Sequence, residues 1–177
     1  MTDQNKRELK PGQFNLQWIP IDWPLTPLGK NKDPYIKGWQ NQPFSVRDIE
    51  QELSTGECKA VGLLGGPVYN HPYGLVWVDI DGPTVYKAIE DLCGSSIEEA
   101  LPKTLTICSG KEGRERKLYK LKREQHKHFI RNKYTWHAEA PKEKLEILWK
   151  KHQGVLMGLH PDTQGYYTAK DQGFEYT

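Results

Sequence analysis

Cysteine is scarce in this chain of 177 residues: Cys58, Cys93 and Cys108 are scattered, with no Cys-x-x-Cys pair and no metal-type histidine spacing. That pattern argues against a zinc site and fits a reducing compartment. Long apolar runs are also missing. No stretch approaches membrane-spanning length, and the polar start Met1-Thr2-Asp3-Gln4-Asn5-Lys6-Arg7 has no apolar segment behind it, so a cytoplasmic protein is expected. Internal repeats and low-complexity tracts are absent as well. The length suits one domain with a real core, residues 1–12 forming a tail. At the other end Gly173-Phe174-Glu175-Tyr176-Thr177 is strand-like and aromatic, which suggests the N-terminal part of a larger protein.

Charge of one sign is lacking overall, since the net charge is +2. The balance hides a basic stripe: Lys111, Arg114, Arg116, Lys117, Lys120, Lys122, Arg123, Lys127, Arg131 and Lys133 stand against Glu112, Glu115 and Glu124 alone. A stripe of this kind is either a solvated face or a phosphate-binding one.

Against that background, Leu75-Val76-Trp77-Val78-Asp79-Ile80-Asp81-Gly82 carries the most information. A buried-type strand runs into two carboxylates one residue apart. Because strand side chains alternate faces, Asp79 and Asp81 should project from the same side. Paired carboxylates repel unless a cation sits between them, and a divalent ion is the usual occupant; a strand that simply ends in an acidic turn is the alternative.

Along the rest of the chain, Gln13 to Ile21 alternates apolar residues before Pro24 and Pro27 break the run, and a loop leads to Lys37-Gly38-Trp39. Ser45 opens a helix with a capping-box spacing, carried by Val46, Ile49 and Leu53 and stopped at Gly56. Strands are expected at Ala60 to Leu64, Leu75 to Ile80, Thr104 to Cys108, Lys117 to Leu121 and Leu145 to Trp149, and a further one at Gly154 to Met157. Pro83 suits the first turn of a helix ending near Gly94, and Ser95 or Ser96 caps a short one. Residues Lys122 to Ile130 read as helix or basic loop. The mixture indicates an α+β fold with acidic residues at strand ends on one active face.

Two further features join the acidic strand. Glu146 interrupts the apolar alternation of Leu145 to Trp149, with Leu145 and Ile147 facing the other way; it either meets Asp79 and Asp81 in one cleft or faces solvent. Between these strands, Cys108-Ser109-Gly110-Lys111-Glu112-Gly113-Arg114-Glu115-Arg116 is a glycine-punctuated turn whose N–H groups, hydroxyl and cations suit phosphate, or else a flexible hairpin tip. Among the tryptophans, Trp77 and Trp149 belong inside strands, while Trp136, in a polar stretch beside His137, is the candidate for stacking on a single strand. Cys108 has no partnered histidine and reads as a small buried residue.

Taken in order, the early Gly29-Lys30 loop before Lys37-Gly38-Trp39, the glycine-ended strand Val61 to Gly65, Asp79-x-Asp81-Gly82, Ser109-Gly110, Leu145-Glu146 and His160-Pro161-x-Thr163-x-Gly165-x-Tyr167 resemble the N-terminal domain of bifunctional primase-polymerases, in the archaeo-eukaryotic primase superfamily. The resemblance covers roughly residues 14 to 168. It implies an RNA-recognition-like primase core, a mixed or antiparallel sheet flanked by helices, and metal-dependent nucleotidyl transfer from dNTPs or NTPs. It implies Asp79, Asp81 and Glu146 as ligands of one or two Mg²⁺ or Mn²⁺ ions. Nucleotide binding would fall to Ser109, Gly110, Lys111, Arg114, Arg116, Lys30 and His160. The template and primer, single-stranded DNA, would meet Lys117, Lys120, Lys122, Arg123 and Trp136, and a fused or associated helicase domain is a further expected partner.

The chain departs from the family pattern where a histidine usually follows the glycine turn: Arg116-Lys117 stands there, and the nearest histidines are His126 and His128. A guanidinium can keep a phosphate contact, or the change can weaken catalysis. The usual Pro-Pro-Ser near the last motif reads Met157-Gly158-Leu159. Two rival functions follow, a replication-initiation module that binds nucleic acid on a primase fold with weakened chemistry, and a metal-dependent nuclease.

Overall fold

The computed structural model describes residues 14–170, so the tail before them and the aromatic segment 173–177 lie outside the described residues. Its centre is the acidic strand itself. Strand β4 (Tyr73–Asp81) pairs along its whole length with β6 (Arg114–Lys122) and, over Trp77 to Asp81, with β8 (Lys144–Leu148) on its other edge. Outward from β6 come β5 (Leu105–Cys108) and β10 (Thr168–Lys170), and beyond β8 lies β7 (Lys133–His137). The short β3 (Gly66–Pro67) pairs with β4 near its start, and every pairing is antiparallel. A second sheet of three strands has the order β1 (Leu25–Leu28), β2 (Ala60–Leu64), β9 (Gln153–Gly158). Pro27 is tolerated in β1 because that strand is an edge.

Alternation along β4 sorts its side chains between two cores. Tyr73, Leu75 and Trp77 join Leu105, Ile107, Leu118 and Leu148 under the small sheet, where Leu25, Val61, Leu63 and Leu156 meet them. On the opposite face Val76, Val78 and Ile80 pack against Val85 and Ile89 of α2 (Thr84–Cys93), with Ile97 of α3 (Ile97–Ala100) alongside. Both faces of the large sheet are therefore covered, which explains why β4 is apolar on both sides until it reaches Asp79.

Local signals act as their chemistry requires. Ser45 caps α1 (Val46–Thr55) in a capping box with Asp48, Gly56 closes it in the left-handed region, and Ser96 caps α3 in the same way with Glu99. Helix α2 has Pro83 at its N-cap and no side-chain cap from its own sequence; instead Glu143, just before β8, accepts from the Thr84 N–H at 2.8 Å and its hydroxyl at 2.7 Å. Residues Arg123–His128 form a 3-10 helix. The run through Ile21 is turns and irregular chain over its described part, 14–21, rather than a strand, and the polar stretch around Trp136 is strand β7.

One close approach locks the two sheets together. A Cβ on Gly154 of β9 would lie 2.4 Å from the ring of Trp77, which is fully buried and donates its indole N–H to the Leu63 carbonyl at 2.8 Å. Gly154→Ala should destabilise the protein by about 1–3 kcal/mol through overpacking, read as a lower urea midpoint; an unchanged midpoint would show that the contact is loose.

Candidate functional site

Register across the large sheet decides which charged side chains meet. Asp79 stands opposite Arg116 of β6 on one side and Glu146 of β8 on the other, and Glu146 in turn stands opposite Thr135 of β7. One step further along, Asp81 stands between Arg114 and Lys144. Strands lie about 5 Å apart, so each row places its side chains within direct reach of one another on one face. Beyond Trp77 the apolar cover ends and these residues line a pocket of about 200 Å³.

Every carboxylate in the pair of rows is met by a cation. The Arg116 guanidinium donates to Asp79 Oδ2 at 2.6 Å, Arg114 reaches Asp81 Oδ1 at 3.0 Å, and Lys133 and Lys144 converge on Glu146 Oε1 at 2.6 and 3.0 Å. Thr135 Oγ1 donates to the same oxygen at 3.4 Å. Burial pushes Glu146 up, but the two lysines outweigh it and hold the carboxyl below the ordinary glutamate value. For Arg116 burial opposes the charge and the Asp79 carboxylate prevails, so its pKa is raised. Its Nε is buried with no hydrogen-bond partner among the described residues.

Three chain segments close over the rows. From the β5–β6 turn come Ser109 and Lys111; Gly110 and Gly113 both have positive φ, 81° and 66°, and a Cβ on Gly113 would strike Pro83 at 2.7 Å. The loop after β1 contributes Lys32, and the segment after β9 contributes His160 and Tyr167. That last segment is a self-closing loop. His160 Nδ1 accepts from the N–H groups of Asp162 and Thr163 at 3.2 and 3.3 Å, the Thr163 hydroxyl accepts from Gly165 N–H at 3.3 Å, and His160 N–H reaches the Gly165 carbonyl at 2.7 Å. The motif thereby sets Tyr167 against the His160 ring, centroids 5.2 Å apart. Lys111 Nζ ties the β5–β6 turn to it through Asp162 at 2.8 Å.

The structure thus brings Asp79, Asp81, Glu146, Ser109, Lys111, Arg114, Arg116 and His160 to one pocket. Other candidates lie elsewhere. Lys30 is exposed and does not line the pocket; Lys32, two residues on, does, and burial followed by the nearby Arg116 lowers its pKa. Lys117 stands opposite Val78 on the helix-covered face, paired with Glu115 at 3.0 Å. Trp136 stands opposite Leu145, half-buried against the helix-side core and stacked on Tyr134 at 6.0 Å, on the face of the sheet away from the pocket. Lys120, over the Tyr73 ring at 5.0 Å, and Lys122 do alternate onto the pocket's face of β6, and Arg123 follows at its end. At 3.3 Å per residue the Lys122 end of β6 is about 25 Å from Arg114. Trp77 and Trp149 are buried inside the sheet and Cys108 is buried, its thiol pushed up by desolvation. Lys32, Lys133, Lys144 and Tyr167 carry no site role from sequence, although Lys133 ends the basic stripe, Tyr167 closes the His160 motif, and the Lys144-x-Glu146 spacing is same-face in a strand.

The donor chemistry of the three carboxylates, without an assembled ligand geometry, suits a divalent cation. Asp79, Asp81 and Glu146 each have one oxygen engaged by a cation, while Oδ1, Oδ2 and Oε2 respectively have no hydrogen-bond partner among the described residues, and hard oxygens of this kind suit Mg²⁺ or Mn²⁺. Among the described residues no three such side chains already converge on one point. No helix there is long and apolar enough to cross a membrane.

The description "Bifunctional DNA primase/polymerase, N-terminal" belongs to the family model that matches residues 16–173, nearly the whole chain, and the protein is a member of that family. No curated protein and no solved structure matches.

Burial, with Lys32 and Lys111 nearby, holds the His160 imidazole below its ordinary value, and its accepting Nδ1 leaves the proton on Nε2. Because the folded pKa is depressed, the unfolded chain takes up the proton first, and His160 costs stability as pH falls from the ordinary 6.5 to the folded value. In a nitrogen-detected NMR titration His160 should show the Nε2–H tautomer and a midpoint below 6.5; a midpoint above it would show that the loop tolerates the imidazolium.

Proposed function

We propose that this member of the primase/polymerase family carries out template-directed nucleotidyl transfer, joining a (d)NTP to a primer 3′-hydroxyl in the pocket formed by β4, β6 and β8. The observation that carries the reading is the shared face: the Asp79, Asp81 and Glu146 carboxylates open into the same pocket as the Ser109 to Arg116 turn. A nuclease has no use for that turn. An antiparallel sheet with helices packed on one face also suits the RNA-recognition-like core that primases use.

Asp79, Asp81 and Glu146 would hold one or two Mg²⁺ or Mn²⁺ ions, which when bound lower the pKa of the 3′-hydroxyl and neutralise the departing pyrophosphate. The chain's own groups do the rest. Ser109 Oγ accepts from the Lys111 N–H at 3.4 Å, which orders the turn and leaves its hydroxyl hydrogen for a phosphate oxygen. Lys111, Arg114 and Arg116 supply the charge for a triphosphate, and Lys32, which makes no ion pair among the described residues, faces it across the pocket. Neutral His160 donates from Nε2 without adding charge. Template phosphates would follow Lys120, Lys122 and Arg123 along β6, away from the carboxylates.

A second reading has one observation behind it. With each carboxylate already paired to a cation, the fold could serve as a nucleic-acid-binding initiation module with weakened chemistry. Primer extension separates the two. With Mn²⁺ or Mg²⁺ and dNTPs on a single-stranded template, the wild type should extend and a folded Asp79→Asn/Asp81→Asn protein should fall by at least about a thousandfold. Template binding without extension would favour the module, and breakdown of DNA without added nucleotide would favour a nuclease.

A further inference from the structure

The carboxylate rows are balanced by the protein itself. Asp79, Asp81 and Glu146 meet four cations, Arg116, Arg114, Lys133 and Lys144. A dication entering this pocket gains little net attraction, because the negative charge that would draw it in is already met by guanidinium and ammonium groups. One of the two shortest of these pairs has both of its side chains less than a quarter exposed. Arg116 and Asp79 are 2.6 Å apart with side chains 23% and 19% exposed, and β6 and β4 hold them directly opposite in register.

Arg116 is nevertheless under-used where it sits. Its bond to Asp79 runs through one terminal nitrogen, while Nε is buried without a partner among the described residues. A guanidinium has a planar fork of donors suited to two oxygens at once, and a polyphosphate presents such oxygens whereas the single Asp79 contact does not satisfy them. Resting on the polymerase reading, we infer that Arg116 is a nucleotide-responsive counter-ion: it neutralises Asp79 until a triphosphate takes the guanidinium, and only then does Asp79 become a full-strength ligand for the divalent ion. Metal and nucleotide binding are thereby coupled, each raising the other's affinity. Lys117, the next residue, has no part in this because it points to the other face. Arg116 is a positioning residue for the metal and a binding residue for the nucleotide.

Two probes on the full chain test this, each without turnover. Mn²⁺ alone, followed by loss of the free-ion EPR signal, should bind Arg116→Gln about tenfold tighter than wild type, the size of a typical coupling. Sodium tripolyphosphate in EDTA, followed by calorimetry, should bind Asp79→Asn about tenfold tighter than wild type, because the guanidinium is released. That gain should shrink to within about twofold when Asp79→Asn is made in the Arg116→Gln background, whereas simple loss of a negative charge would persist in both. Should Arg116→Gln fail to fold, the comparison of wild type with Asp79→Asn stands, with Arg116→Met, uncharged and of similar length, as the second background. Equal Mn²⁺ affinity of wild type and Arg116→Gln, or an equal tripolyphosphate gain in both backgrounds, overturns the coupling. If Asp79→Asn abolishes Mn²⁺ binding while Arg116→Gln leaves it unchanged, the coupling alone falls. If Asp79→Asn leaves Mn²⁺ binding intact, the ion lies elsewhere and the polymerase reading falls with it.

Discussion

The register of three adjacent strands is the constraint on which the rest of this structure depends. A nine-residue antiparallel ladder fixes β4 against β6, and β8 pairs with the end of β4 that bears the aspartates, so Arg116, Asp79 and Glu146 stand in one row. Bringing Asp79 beside Glu146 and two residues from Asp81 would be costly without compensation, and the same ladders deliver it as Arg116, Arg114 and Lys144. Removing one partner from a pair as enclosed as Arg116 and Asp79 typically costs about 3–5 kcal/mol, because the other charge is left uncompensated. A slip of one residue would turn every one of these groups to the helix side.

Packing places the pocket where it is. The small sheet covers the face of β4 that bears Tyr73, Leu75 and Trp77 and stops short of Asp79, so apolar burial gives way to charge within one strand. Trp77 is the boundary: its ring meets Gly154, its indole N–H is bonded to Leu63, and the next residue on its face is Asp79. Behind the sheet α2 is held by Glu143, which ties the segment after Asp81 to the start of β8. The acidic residues thus sit on strands supported from both sides, while Lys32, Lys111 and His160, to which the proposed function gives the phosphates, come from loops.

Much of this was legible in the sequence because it is local. Alternation alone sets Asp79 and Asp81 on one face and Glu146 opposite Leu145 and Ile147, and the capping boxes at Ser45 and Ser96 and the stop at Gly56 are carried by three or four consecutive residues. What was hidden is long-range. Nothing local distinguishes Lys30 from Lys32, whose difference arises from a turn with Lys32 at φ 66°. The basic stripe looks continuous in sequence, yet β6 divides it, sending Arg114 and Arg116 into the pocket and Lys117 behind it. Trp136 sits among polar neighbours because β7 is an edge strand with one exposed face, and its burial comes from the helix-side core. Pairing of Lys133 with Glu146 depends on which strands are neighbours, something composition does not carry.

Location of the divalent ion in the presence of nucleotide is the most direct test of the central claim that the carboxylate rows are the reaction centre. With a non-hydrolysable dNTP analogue and substoichiometric Mn²⁺, paramagnetic broadening of amide signals should centre on Asp79 to Asp81 and Lys144 to Glu146 and extend to Ser109 and Lys111. Broadening centred instead on other carboxylates, such as Asp22 beside His71 at the opposite end of β4, would contradict the account.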